Sequence, residues 1–428
     1  RSLTALSQFL TSDEHTMSLL TLLFVIIVVG LTVNVYAPLK SSERLMGLTF
    51  GLGWLTGELA GHVAVAIVFI TSIIAAGEGF EGFIGWVGLL VILTACGALA
   101  RFHWQGLSIG PLVESSLQLG LGKAYLNTLL PHHRSAIPLG PDRDAMMLPF
   151  KRDWTGIDHV TDVSYDHANL KLDIYRPKRA VLNAPVLLHI HGGAWKIGDK
   201  YGQALPLMQA MTRLGWICVS ISYRLSPKAT FPDHIIDCKA ALAWTKRHIQ
   251  DYGGDPAFIA VTGGSAGGHL TGLMASTAND PAFQPGFEDQ DTTIQAAVPF
   301  YGPFDWTDRD ELQPNQGLRH LLEKEVIKSS FASSEAVYEA GSPLLRDLTS
   351  APPMMIVHGD QDSLVPVGIS RKMAALHRAQ AETPCIYLEI PGAQHAFDIF
   401  ASPRSEHTKL GVMRFLCFCY AEYHASKG

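Results

Sequence analysis

Beyond residue 185, six short apolar runs rich in β-forming residues recur, at Val186–His191, Ile217–Ser222, Phe258–Thr262, Ile294–Phe300, Met354–His358 and Cys385–Ile390. Helical patterns separate most of them, at His234–Ile249, Ala266–Ala278, Val367–Ala379 and Glu406–Tyr423. A strand that is apolar on both faces needs cover on both faces, and intervening helices supply it. The alternation therefore predicts a mostly parallel sheet with helices on either side. Val160–Tyr165 and Leu170–Tyr175 add an opening antiparallel hairpin, which makes eight strands.

The first hundred residues belong to a different solvent. Hydrophobic residues are 47% of the chain and charged residues 17%, and the apolar excess lies before residue 105. Thr16–Ala37 carries no charge, Leu45–Ala76 is interrupted only by Glu58 and His62, and Phe83–Ala100 stops at Arg101. A bilayer core asks for about 20 such residues in a helix, so residues 1–105 are expected to form a membrane region with three transmembrane helices, the first 12 residues of the second run being a candidate interfacial segment. A cleavable signal peptide is the competing reading of the first run, but it lacks a basic n-region and more apolar runs come after it. Met17 is a candidate biological start. Lys40 and Arg44 in the first loop, and Arg101, Lys123 and Arg134 after the third run, place that loop and everything beyond residue 105 on the cytoplasmic side. Glu58 and His62, four apart, share one helical face; an ionisable pair within a membrane is a functional candidate, against the plainer reading of a pair at headgroup level or satisfied by a neighbouring helix.

Residues 106–153 read as an amphipathic linker. Ser108–Leu130 has helical apolar spacing, suited to lying on lipid or over an active site, and Pro131, Pro138, Pro141 and Pro149 punctuate the rest of the linker. Residues 154–428 form the second domain, and a chain beginning near Phe150 is expected to hold its own core. The net charge of −6 gives no broad basic field for nucleic acid. Six cysteines, at positions 96, 218, 238, 385, 417 and 419, show no C-x-x-C pair and several sit in apolar runs, so they read as reduced core residues.

Chemistry concentrates at strand ends. Gly263-Gly264-Ser265-Ala266-Gly267 follows one strand and opens a helix, the setting in which a serine is turned out above the sheet. His191-Gly192-Gly193-Ala194-Trp195 follows an earlier strand, where glycines free backbone N–H groups to point into a cavity. With the N–H of Ala266, such donors can bind an oxyanion. A serine nucleophile needs a base and the base an orienting carboxylate. Two later loops supply them: Gly359-Asp360-Gln361-Asp362-Ser363-Leu364-Val365-Pro366, and Pro391-Gly392-Ala393-Gln394-His395-Ala396-Phe397. His395 is the expected base; Asp362 and Asp360 compete as its carboxylate.

With Ser222-Tyr223-Arg224-Leu225-Ser226-Pro227 added, these motifs make residues 155–425 resemble the hormone-sensitive-lipase-like family of bacterial carboxylesterases. The resemblance implies an α/β-hydrolase fold with a small cap and a Ser265–His395–Asp362 triad. It also implies an oxyanion hole around Gly192, Gly193, Ala194 and Ala266, in which Gly192 shapes the turn. Ala194 stands where the family's common motif has a third glycine, as in feruloyl-esterase-like and formamidase-like relatives. The implied reaction is hydrolysis of small-molecule esters, short- to medium-chain or aryl, through an acyl-enzyme, with no metal or organic cofactor. An amidase, formamidase or peptidase using the same triad is the enzymatic alternative, and an inert hydrolase-fold binding module the non-enzymatic one. The stretch 303–343, with helical patterns at Gln316–Lys328 and Ser334–Ala340, is a candidate cap insertion.

Overall fold

The structure is a computed structural model that describes residues 19–165 and 167–427. Met17 and the start of the first apolar run lie outside the described residues. Eight strands form one sheet: β1 (Ile157–Ser164), β2 (Lys171–Pro177), β3 (Ala184–Ile190), β4 (Ile217–Ile221), β5 (Gly254–Gly264), β6 (Ala296–Phe300), β7 (Met354–Gly359) and β8 (Cys385–Ile390). Their spatial order is β1-β2-β4-β3-β5-β6-β7-β8. The pairs β1–β2 and β2–β4 are antiparallel; the rest, from β4 to β8, are parallel. Strands β3, β4, β6 and β7 are buried along their whole length, the pattern expected of strands covered on both faces.

Ahead of the sheet run four long helices: α1 (Leu19–Tyr36), α2 (Glu43–Glu58), α3 (Ala60–Ala76) and α4 (Gly82–Leu107). Helix α5 (Gly110–Leu121) and the short α6 (Tyr125–Thr128), α7 (Pro131–Ala136) and α8 (Arg143–Met147) lead to β1. The sheet is flanked by α9 (Leu205–Arg213), α10 (Asp233–His248), α11 (Ala266–Ser276), α14 (Val367–Gln380) and α15 (Pro403–Lys427), with α12 (Gly317–Leu321) and α13 (Phe331–Ala340) between β6 and β7. The last two occupy the candidate cap insertion.

By length and composition α1 can cross a membrane, as can the run from α4 into α5, while α2 and α3 pass only as a pair bent by 88°. The run Leu45–Ala76, expected as one span whose first 12 residues are a candidate interfacial segment, is thus two helices meeting at Leu59. Four glycines loosen α2 (Gly47, Gly51, Gly53, Gly57), and Glu58 at its end accepts a 2.6 Å hydrogen bond from Ser402, far along the chain. The shared face expected for Glu58 and His62 is broken by the same bend. His62, on α3, instead lies 3.2 Å from the carbonyl of Met147. Helix α4 also runs past the expected boundary at residue 105, and Arg404 of α15 reaches its Phe102 carbonyl at 3.2 Å.

The connector is placed differently from either expectation. Val113, Leu117, Tyr125, Leu129 and Ile137 are buried in one core cluster with Trp216, Ile386, Leu388 and Met413. Helix α5 therefore packs on β8 and α15, neither on lipid nor over the strand ends. Its spacing was readable as amphipathic, but a sheet side accepts such a face as well as a bilayer does. All six cysteines are free and buried.

Candidate active site

Ser265 ends the strand–turn–helix between β5 and α11 with φ 58° and ψ −120°. Such a left-handed conformation costs a non-glycine residue about 1–3 kcal/mol, so the surroundings must enforce it. They do so by crowding. A Cβ on Gly263 would come within 2.5 Å of the Ile190 carbonyl, and one on Gly267 within 2.8 Å of the His191 carbonyl. The turn thus lies directly on the end of β3, where only glycine fits. Ser265 N–H donates to Phe300 O at 3.0 Å and its own carbonyl accepts from His269 N–H at 2.9 Å, anchoring it to β6 and α11.

The end of β3 supplies the second loop. Gly193, Ala194 and Trp195 all have positive φ (120°, 52° and 58°), so successive peptide groups turn away from ladder directions. Among the described residues, no hydrogen bond is made by the N–H of Gly193, Ala194 or Ala266. Gly192 is different, because its N–H donates to Gln203 Oε1 at 2.7 Å. It has the turn-shaping part expected of it: a Cβ there would meet Gly264 O at 2.6 Å and Ser265 Cβ at 3.2 Å. His191 stacks on Tyr223 at 4.3 Å, and Tyr223 Oη donates to its carbonyl.

The loops after β7 and β8 meet beside these two. His395 Nδ1–H donates to Asp362 Oδ2 at 2.6 Å. The other carboxylate oxygen accepts the N–H groups of Leu364 and Val365, each at 2.8 Å. His358 Nε2 stands 3.1 Å from Oδ2 and is held by Ser370 through Nδ1 at 2.6 Å. Burial works to raise the Asp362 pKa, but the charge and hydrogen bonds of His395 and His358 outweigh it and hold the carboxyl below its ordinary value. Asp360 has other partners. Its Oδ1 accepts from Gly392 N–H at 2.7 Å, clasping the two loops together, and burial raises its pKa. The structure thus brings Asp362, and not Asp360, to His395.

Some site residues were not visible in the motifs. Gln394 Oε1 accepts from both Ser363 N–H (2.7 Å) and His395 N–H (2.9 Å), fixing the base loop to the acid loop. Tyr301, 4.5 Å from the His395 ring, donates its hydroxyl to the half-buried Asp398. Phe50 of α2 sets its ring edge-on to His395 at 5.8 Å. Gln394 adjoins the histidine, which was a usable signal; Tyr301 and Phe50 had none.

The sheet order and these loops can be set beside solved structures. A carbohydrate esterase from gut microbiota, in truncated form, matches with TM-score 0.51 and 23% identity, over 64% of this chain and 99% of that one. A propionate-bound esterase from Thermogutta terrifontis matches with TM-score 0.50 and 22% identity, over 65% and 96%. Residues 157–427 have the α/β-hydrolase fold. The BD-FAE family model matches residues 172–376 of this hydrolase fold, a range that includes Ser265 and Asp362 and ends before His395. Three proteins of Mycobacterium tuberculosis are similar in sequence. They are a "Probable carboxylic ester hydrolase", LipM (49% identical over 65% of this chain), the esterase LipQ (45% over 58%) and the esterase LipC (38% over 57%). The matched part spans 65%, 59% and 61% of their own lengths, less than two thirds of each.

Proposed function

We propose that this chain is a serine carboxylic ester hydrolase of the hormone-sensitive-lipase-like kind, held in a membrane by α1, α3 and α4. The observation that carries the reading is the buried His395–Asp362 pair, 2.6 Å apart, placed at the sheet edge where a strained turn presents Ser265. Ester hydrolysis is also what the names of LipM, LipQ and LipC describe.

Ser265 Oγ attacks the ester carbonyl as His395 Nε2 takes its proton. Asp362, ionised and fixed by two backbone N–H groups, keeps the imidazole in the required tautomer and stabilises the imidazolium. The N–H groups of Gly193, Ala194 and Ala266 receive the oxyanion of the tetrahedral intermediate. His395 returns the proton to the departing alcohol, and water activated by the same imidazole then releases the acid from Ser265. The substrate is a small-molecule ester.

Helices α1, α3 and α4 carry the membrane reading. They form an up-and-down bundle: Thr21 of α1 lies near Gly79 before α4, and Tyr36 Oη at the other end donates to Ala98 O of α4. Eighteen residues of α1 span roughly 27 Å, close to a hydrocarbon core of about 30 Å. Outward-facing Leu22, Ile26, Val65, Phe69, Phe83 and Leu90 leave an apolar belt that water would not favour. The loop after α1 and the hydrolase fold lie at the same end of the bundle, and Lys40 and Arg44 support the cytoplasmic side for that end.

Fluorophosphonate labelling of the full-length protein, with turnover of a matched aryl ester and anilide, tests the reading. Wild type should label and cleave the ester faster, and Ser265→Ala should do neither while staying folded. Near-normal turnover by that variant would overturn the assignment.

A further inference from the structure

Helix α2 has two faces that look at different things. Leu45, Leu48, Leu52 and Leu55, spaced three and four apart, make an outer stripe, with Leu48 61% exposed. On the inner side Thr49, Gly53 and Gly57 are buried and Phe50 and Trp54 partly so. Phe50 stands edge-on to the His395 imidazole, Trp54 packs on Phe400 at 5.3 Å, and Gly53 lies close to Gln394, whose Nε2 would be 3.4 Å from a Cβ there.

Polar ties hold this helix to three of the hydrolase loops. Near its start His320 Nδ1 is 3.0 Å from Glu43, and just before it Asn315 Nδ2 donates to Lys40 O at 2.8 Å; both partners come from the insertion after β6. Lys40 Nζ donates to Asp360 O at 3.2 Å, and Glu58 at the far end takes the bond from Ser402. Helix α2 therefore crosses the mouth beside His395 and is turned 88° from α3. If α3 crosses the bilayer, α2 lies along its surface, and the leucine stripe continues the apolar belt of the bundle.

We propose that α2 is an interfacial helix with its leucine stripe in the bilayer and its inner face forming the apolar wall of the substrate site. Ser265 then receives long-chain esters of bilayer-resident lipids sideways from the membrane, and Phe50 is a specificity-determining residue for chain length. An acyl chain leaving the Ser265 carbonyl on the His395 side meets Phe50 first and lipid beyond it, so no aqueous transit is needed. The inference rests on the esterase reading of Ser265.

The experiment uses full-length protein in phosphatidylcholine vesicles, with p-nitrophenyl butyrate and p-nitrophenyl laurate as probes and fluorophosphonate labelling to count active sites. The laurate-to-butyrate ratio of kcat/KM per labelled site should fall by about tenfold in Phe50→Ala, the scale of one lost aromatic contact, and largely survive in Phe50→Leu. The double variant Leu48→Asn/Leu52→Asn alters only the outer face and should lower the same ratio in vesicles. Full labelling with an unchanged ratio in both the Phe50→Ala and the leucine variants overturns the wall while leaving the esterase reading intact. A wild type that neither labels nor turns over either ester overturns that reading and this inference with it.

Discussion

Asp360 and Asp362 are the same side chain two residues apart, and only the turn between them decides which one faces the imidazole. Oδ2 of Asp362 receives His395, while Asp360 is spent on Gly392 N–H. Asp362→Asn should therefore cost on the order of 10⁴ in kcat, through the wrong imidazole tautomer. Asp360→Asn should lower stability by about 1 kcal/mol, through a weakened loop clasp, and leave kcat within a few-fold. Steady-state kinetics and a melt of each variant check this, and the opposite ranking would move the acid to Asp360. The depressed Asp362 pKa has a kinetic corollary. Held below its ordinary value, the carboxyl adds no second titration to the acid limb, so log kcat/KM should fall there with a slope of one. A slope of two there would mean that the pair takes up two protons together. The serine and histidine were legible from short motifs because each is fixed by its immediate neighbours. The choice of aspartate, the Gln203 bond that occupies Gly192, and the Phe50 contact were not, since each depends on residues 11 to 345 positions away.

At the scale of elements, pattern and structure agree where burial is two-sided and differ where one face is undecided. All eight strands occur where apolar runs predicted them, although β5 starts at Gly254, ahead of the run Phe258–Thr262. Two one-faced helices went elsewhere: α5 found the flank of β8, and α2 the mouth of the site. A single apolar stripe reports that a face is covered and says nothing of whether protein or lipid covers it. The β5–α11 turn shows the opposite case, in which contact leaves no choice. In Gly267→Ala the new methyl would press on the backbone of Ile190 and His191, which side-chain motion cannot relieve. A loss of about 1–3 kcal/mol is expected, with impaired fluorophosphonate labelling because Ser265 is displaced. Gly140→Ala, where nothing lies within 4 Å, should leave both the melting temperature and labelling unchanged. Equal melts for the two variants would show that the turn is looser than its packing implies.

For the whole molecule, the sequence divides at residue 105, but the packing does not. Arg404 of α15 reaches the Phe102 carbonyl and lies over its ring at 3.9 Å, and His407 Nε2 lies 3.0 Å from the carbonyl of Leu107. Arg414 pairs with Glu114 at 2.9 Å, and Tyr125 donates to the same carboxylate. A chain starting near Phe150 keeps every strand and the triad, yet loses α5 to α8 and so uncovers Ile386, Leu388, Trp216 and Met413 on one side of the sheet. Exposing several such side chains, at roughly 1.5–3 kcal/mol each, is comparable to the whole stability of a domain. That chain should therefore aggregate or melt far below full-length protein, contrary to the independent core expected of residues 154–428. A chain starting near Arg101 retains α5, the Phe102 contact and Glu114, and should fold once the apolar helices α1 to α3 are gone. It loses α2, so His395 stands open, and small soluble esters should be cleaved at rates near those of the full-length protein while laurate loses its advantage. Circular dichroism, detergent-free gel filtration and turnover of both esters on the two truncations decide the matter. A well-folded chain from Phe150 would restore the boundary before β1 and reduce the connector to a tether.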